Sequence, residues 1–116
     1  MARVKRGVTA HKRHKRLLKA AEGRRGTRST LIKPAREALL HAMAYSYVGR
    51  KQRKRQMRAL WIVRLNAAAR QNGLTYAHFV SGLKRAGVVL DRKVLADIAV
   101  RDAATFARIV EVARPS

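Results

Sequence analysis

An all-α chain is predicted, made of a long basic N-terminal helical arm and a small C-terminal helical domain. Three observations predict it. After Ala59, apolar residues recur at spacings of three and four rather than alternating. Each such run is bounded by a residue able to cap or stop a helix. Charge is also split along the chain. Residues 1–58 hold 19 Lys or Arg against Glu22 and Glu37, a net of +17, while residues 59–116 hold 9 against 4 acidic residues, a net of +5. We therefore expect a basic extended or helical arm over residues 1–58 and a globular four-helix domain over residues 59–116, with the first helix of the domain continuous with the arm.

In the arm, residues 10–22 have a helix-forming composition, with Leu17, Leu18, Ala20 and Ala21 near the end. Gly23, Gly26, Thr27 and Ser29 break that pattern. A second helical run starts near Pro34, which a first turn accepts because its missing N–H would have no partner there. Leu39, Met43 and Tyr47 follow at spacings of four. Gly49 is a candidate weak point, after which the pattern resumes through residues 50–58. Unbroken over residues 35–72, the helix would be about 57 Å long at about 1.5 Å per residue. A core this small does not require such a helix, so it reads as a rod laid against something larger.

In the domain, Trp61, Leu65, Ala68 and Ala69 share one helical face, and Asn72-Gly73 supplies a stop. Thr75 is placed to cap a second helix whose stripe is Tyr76, Phe79, Val80 and Leu83, ended by Gly87. Asp91 caps a third, carrying Val94, Leu95 and Ile98. Asp102 caps a fourth, carrying Phe106, Ile109, Val110 and Ala113. Val88-Val89-Leu90 is expected as an extended connector, because no partner strand is visible. Four helices in about sixty residues make a marginal but feasible core.

The formal charge of +22 over 116 residues would make a compact protein repel itself strongly. A permanent polyanionic partner removes that cost, and nucleic acid fits best because each phosphate contact releases a counterion. A membrane is disfavoured, since no segment is long and apolar enough to span and no basic stretch has a broad apolar face. The start of the chain lacks the apolar stretch of a secretory signal. The absence of cysteine excludes disulfides and thiolate metal sites and suits a reducing cytoplasm.

The stretch Arg50-Lys51-Gln52-Arg53-Lys54-Arg55-Gln56-Met57-Arg58 is the most informative. On a helical wheel its six cations cover roughly 200°, leaving Gln52, Gln56 and Gly49 on the rest. A solvated helix face would mix Glu with Lys for i, i+4 support, but no carboxylate lies between Glu37 and Asp91. Phosphate is the expected surrounding. Arg3, Lys5, Arg6, Lys12, Arg13, Lys15, Arg16 and Lys19 form a second basic cluster, and Arg24, Arg25 and Arg28 add guanidiniums that fork onto phosphates or stack on bases. Tyr45 and Tyr47 are candidate base stackers, which would favour RNA; Trp61 is expected in the core. Arg64, Asn66, Arg70, Gln71 and Asn72 form a polar row opposite the apolar one; it either contacts nucleic-acid edges or is solvated. A DNA-compacting architectural protein shares this charge signature, and competition between duplex DNA and folded RNA separates the two.

Nothing in the sequence supports a reaction, a cofactor or a small-molecule substrate. His11 and His14 are surrounded by cations that would repel a metal, and His41 and His78 read as isolated. Asp91 and Asp102 read as caps, Asp97 as a partner of Arg101, and Glu111 as a partner of Arg108. There is no Gly-rich nucleotide loop and no serine with a base and orienter.

Along essentially its whole length the chain resembles the L-twenty family of bacterial large-subunit ribosomal proteins. The matching blocks are Met1-Ala2-Arg3-Val4-Lys5-Arg6-Gly7-Val8, then Arg50-Lys51-Gln52-Arg53-Lys54-Arg55-Gln56, then Leu60-Trp61-Ile62. Asn66-Ala67-Ala68-Ala69-Arg70-Gln71-Asn72-Gly73 and Leu90-Asp91-Arg92-Lys93-Val94-Leu95-Ala96-Asp97-Ile98-Ala99 complete the set. The resemblance implies a cytoplasmic ribosomal component, with an arm threaded among segments of large-subunit ribosomal RNA and a helical domain on the outer side. It implies an early role in subunit assembly and none in peptide-bond chemistry. The implied partners are that RNA, neighbouring large-subunit proteins and, as in some family members, the chain's own messenger RNA bound through the C-terminal domain. The chain departs from the family pattern at Arg24-Arg25, where aromatic residues are common, and at Pro34 and Gly49, which interrupt a usually more continuous helix.

Overall fold

The computed structural model describes residues 3–115 and is helical, with no strand among them. The chain divides into two compact units, Met1–Lys51 and Gln52–Ser116. Helix α1 spans Val8–Ala20, a short 3-10 helix spans Gly26–Ser29, and α2 spans Ile32–Gln71. Helices α3 (Tyr76–Arg85), α4 (Arg92–Arg101) and α5 (Ala103–Ala113) follow. Residues 32–51 of α2 belong to the first unit and residues 52–71 to the second.

Neither suspected interruption breaks α2, which is 40 residues long. Pro34 sits in its first turn. The first helical donor is the Ala35 N–H, which bonds the Leu31 carbonyl at 3.0 Å, so the N–H that Pro34 lacks has no partner to lose. Gly49 takes ordinary helical backbone rather than the left-handed region.

The two units differ in how their helices are started. In the first, α1 has Gly7 at its N-cap with no side-chain bond and no acidic residue in its first turn. In the second, all three short helices are capped as their sequences predict. Thr75 Oγ1 accepts from the His78 N–H, Asp91 Oδ1 from the Val94 N–H at 2.8 Å, and Asp102 Oδ1 from the Thr105 N–H at 3.1 Å. Each satisfies one of the donors that a helix start leaves free. Asp102 also ends α4, where its N–H bonds the Ile98 carbonyl, so a single residue forms the corner between two helices. Gly73 and Gly87 adopt left-handed backbone at the ends of α2 and α3, as a glycine stop requires.

The core lies in the second unit. Leu65, Ala69, Phe79, Leu83, Leu95, Ala96, Phe106, Val110 and Ala113 are buried together, with Trp61, Ala68, Tyr76, Val80, Ile98 and Ile109 packed against them. The rings of Phe79 and Phe106 are 5.3 Å apart at 41°, a tilted arrangement that aromatic pairs favour. Helix α5 packs on both α3 and α4. One expected core position is corrected: Val94 faces solvent, and Ala96 takes the buried place on α4. The buried face of α4 is centred on Leu95, Ala96 and half-buried Ala99, which turns Val94 outward. Residues 88–90 form a connector between α3 and α4 with no strand.

Two polar ties join these helices. Arg92 Nε donates to the Tyr76 hydroxyl at 2.8 Å, linking α4 to α3. Arg114 donates to the Asn72 carbonyl at 2.8 Å, linking the end of α5 to the end of α2. Asp97 pairs with Arg101 at 2.9 Å as predicted. The expected Glu111–Arg108 pair is replaced by Glu111–Arg114 at 3.1 Å. Arg108 instead exerts its charge on Asp102, near the start of the same helix.

By contrast, the described residues of the first unit bury only two side chains, Ala21 and Ala35.

Candidate nucleic-acid interface

The predicted cationic residues are available to a partner almost without exception. Arg3, Lys5 and Arg6 are exposed ahead of α1, and Lys12, Arg13, Lys15, Arg16 and Lys19 are exposed on it. In the first unit every residue over 43–51 is exposed, including Arg50 and Lys51; in the second every residue over 52–60 is, including Arg53, Lys54, Arg55 and Arg58. The basic stretch of α2 therefore has no protein surface against its faces. No carboxylate neutralises it: among the described residues the carboxylates in contact with basic side chains pair as Glu37–His41, Asp97–Arg101 and Glu111–Arg114. Among the described residues, the charge predicted to face phosphate is thus left unmatched.

The aromatic candidates are also outward. Tyr45 is 70% exposed and Tyr47 is 55% exposed. The Lys51 ammonium donates to the Tyr47 hydroxyl and lies 4.3 Å from its ring centroid, so a base stacking on that side would have to displace it. Trp61 is half-buried against the core, in keeping with its predicted place there.

The polar row on the second half of α2 divides in two. Arg64, Arg70 and Gln71 are exposed. Arg70 Nε donates to Asn66 Oδ1 at 3.2 Å, which orients the guanidinium along the helix. The Asn72 side chain donates to the Ala68 carbonyl at 2.9 Å and so closes the helix end, leaving its Oδ1 to accept.

A cleft of about 630 Å³ forms within the first unit. Arg24, Arg25 and Arg28, from the segment around the 3-10 helix, line it, and so do Glu37, His41 and Tyr45 of α2. Arg24 is held by a bond from its guanidinium to the Ala20 carbonyl at 3.2 Å. His41, read from sequence as isolated, has two neighbours one turn away on either side. Its Nε2 is 3.8 Å from Glu37 Oε1, and its ring stacks on Tyr45 with centroids 5.9 Å apart at 28°. The i, i+4, i+8 spacing of 37, 41 and 45 carried this signal; a scan confined to runs of cations passes over it.

No helix of the described residues is long and apolar enough to cross a membrane. No group of three or more His, Cys, Asp or Glu stands together among them.

The order of the basic blocks finds its match among known proteins. The sequence model of the family described as Ribosomal protein L20 matches residues 3–109. The chain belongs to the ribosomal protein L20 family. Over 114 residues it is 60% identical to the Large ribosomal subunit protein bL20 of Roseiflexus sp. (strain RS-1), covering 98% of this chain and 97% of that protein. The bL20 of Acidithiobacillus ferrooxidans (strain ATCC 53993 / BNL-5-31) is 58% identical, with 98% and 96% covered. That of Moorella thermoacetica (strain ATCC 39073 / JCM 9320) is 55% identical, with 98% and 94% covered. Membership in the L20 family places the chain among ribosomal proteins rather than enzymes, and the unmatched cations described above lie within the region that the L20 match covers.

Proposed function

We propose that this L20-family chain is a structural component of the large ribosomal subunit that binds its ribosomal RNA directly and promotes early subunit assembly by electrostatic stapling. One observation carries the reading: the basic stretch of α2 is exposed on all sides and has no carboxylate to neutralise it. Cations placed in this way neutralise phosphates from RNA segments that otherwise repel one another, so the segments can pack. Among its described residues the first unit fully buries only Ala21 and Ala35, and RNA contacts add to its ordering on binding. The second unit, with a capped and packed core, fixes orientation through Arg64, Asn66 and Arg70. Neighbouring large-subunit proteins and the chain's own messenger RNA complete the proposed set of partners, on the strength of the family.

The test is the salt dependence of binding to large-subunit ribosomal RNA. With about ten phosphate contacts, the slope of log affinity against log salt is expected near −7 to −9. A slope near zero would remove the stapling mechanism. Competition with random duplex DNA is run beside it; equal affinity for the two would favour a DNA-compacting role instead.

A further inference from the structure

We infer that the cleft between residues 23–29 and helix α2 in the first unit is a pocket for one unpaired guanine nucleotide of the RNA. The inference rests on the RNA-binding reading and goes beyond it, by assigning a base and the residues that select it. At about 630 Å³, the cleft falls in the size range of sites that hold small organic groups, about 300–1,000 Å³.

Its walls supply three different kinds of contact. Arg24, Arg25 and Arg28 all line the cleft, and an arginine guanidinium is suited to fork onto a phosphate. On the α2 wall, the stacked rings of His41 and Tyr45 form an aromatic platform of the sort on which an unstacked base lies. Tyr45 is 70% exposed, so this platform is open to a ligand.

The third contact is Glu37, which sets the specificity. It is the one carboxylate between Glu22 and Asp91 in a strongly basic stretch, and it lines the same cleft as the three arginines. A clamp for phosphate alone is weakened by a carboxylate. The pairing with His41 is loose, at 3.8 Å with the Glu37 side chain 76% exposed, and leaves oxygens free. A carboxylate accepts hydrogen bonds at both oxygens and donates none. Guanine alone among the four bases presents two adjacent N–H donors on its Watson–Crick edge, at N1 and N2. Adenine and cytosine set one amino group beside an acceptor nitrogen, and uracil flanks one N–H with two carbonyl oxygens. The arginines thus hold the phosphate, the ring pair carries the base, and Glu37 reads its edge.

The experiment measures binding of the full-length chain to four nine-nucleotide oligouridines by fluorescence anisotropy at one ionic strength. Three carry a single central G, A or C and the fourth carries none. The expected result is that the G-containing probe binds about tenfold tighter than the other three, within the range a two-bond base contact gives. Glu37→Gln, at an exposed helix position, should abolish that preference by bringing the G probe to the level of the other three, all of which gain slightly from losing a carboxylate beside the arginines. Equal binding of the four probes by the native chain, or a preference that survives Glu37→Gln, would overturn the guanine pocket and leave RNA binding standing. Failure to bind any probe would overturn both.

Discussion

Gly82 of α3 meets the backbone of Ala113 of α5 with no room for a side chain between them. A Cβ built on Gly82 would run into the Ala113 carbonyl oxygen and lie 2.7 Å from its carbonyl carbon. The obstacle is backbone, so no rotamer change relieves it. Gly82→Ala is expected to destabilise the second unit even though alanine is the better helix former. Overpacking costs about 1–3 kcal/mol, against about 1 kcal/mol gained in helix propensity. Gly49 is the control, since a Cβ there meets nothing within 4 Å. Gly49→Ala should stabilise α2 by about 0.5–1 kcal/mol. Chemical denaturation should move the midpoint of the second unit downward for Gly82→Ala and leave it in place for Gly49→Ala, which lies in the first unit; a shift upward for Gly82→Ala would contradict the packing.

Tyr76→Phe deletes the hydroxyl that accepts from Arg92 and leaves the ring in place. A partly buried bond of this type contributes about 1 kcal/mol, with more for a charged donor. Equilibrium unfolding of Tyr76→Phe, Arg92→Ala and the double variant should show coupling between the two positions. Additive losses would mean that the tie does not hold α4 to α3.

Asp102 gives the second unit an acid-sensitive corner. The Thr105 hydroxyl above all, then the Thr105 N–H, with help from the Arg108 charge and the Ala104 N–H, hold its carboxyl below the ordinary value of 3.8. Because the folded value is depressed, the stabilisation is complete above that ordinary value. It is lost as pH falls through the folded value, where both states carry the proton. Carboxyl NMR should place the Asp102 titration below those of unpaired aspartates, and Thr105→Val should move it back up. An unchanged midpoint in that variant would assign the depression to another cause.

Replacing Arg53, Lys54 and Arg55 together by alanine should reduce the steepness of salt dependence in RNA binding by about 2–3. These residues are exposed on every side, so thermal unfolding of the second unit should hardly change. Loss of affinity with an unaltered slope would mean that the three side chains do not sit on phosphates.

Much of this architecture was legible in the sequence, because local chemistry decides it. Thr75, Asp91 and Asp102 were readable as helix starts, and Gly73 and Gly87 as stops. A cap bonds the N–H three residues on, and a left-handed turn needs only the glycine itself. The stripes of α3 and α5 were readable for the same reason. Features that depend on a second segment were not. Gly82 is buried because of where Ala113 passes, thirty-one positions further along the sequence. Ala96 takes the place of Val94 because the buried face of α4 is centred on Leu95, Ala96 and Ala99, turned away from Val94. Glu111 has Arg108 and Arg114 both within one turn, and spacing alone does not choose between them. In the interface, the exposed cations were visible as runs of one sign, whereas Glu37 and His41 joined the site only once residues 23–29 were seen beside α2.

Helix α5 is the surface on which both α3 and α4 pack, and Val110 and Ala113 are among its buried members. During synthesis, Phe79 and Leu95 are therefore made before the helix that completes their cover. The second unit cannot close its core until Ala113 has been translated and has left the exit tunnel. The cationic leading segments reach the outside earlier and can capture nucleic acid while the rest is still being made.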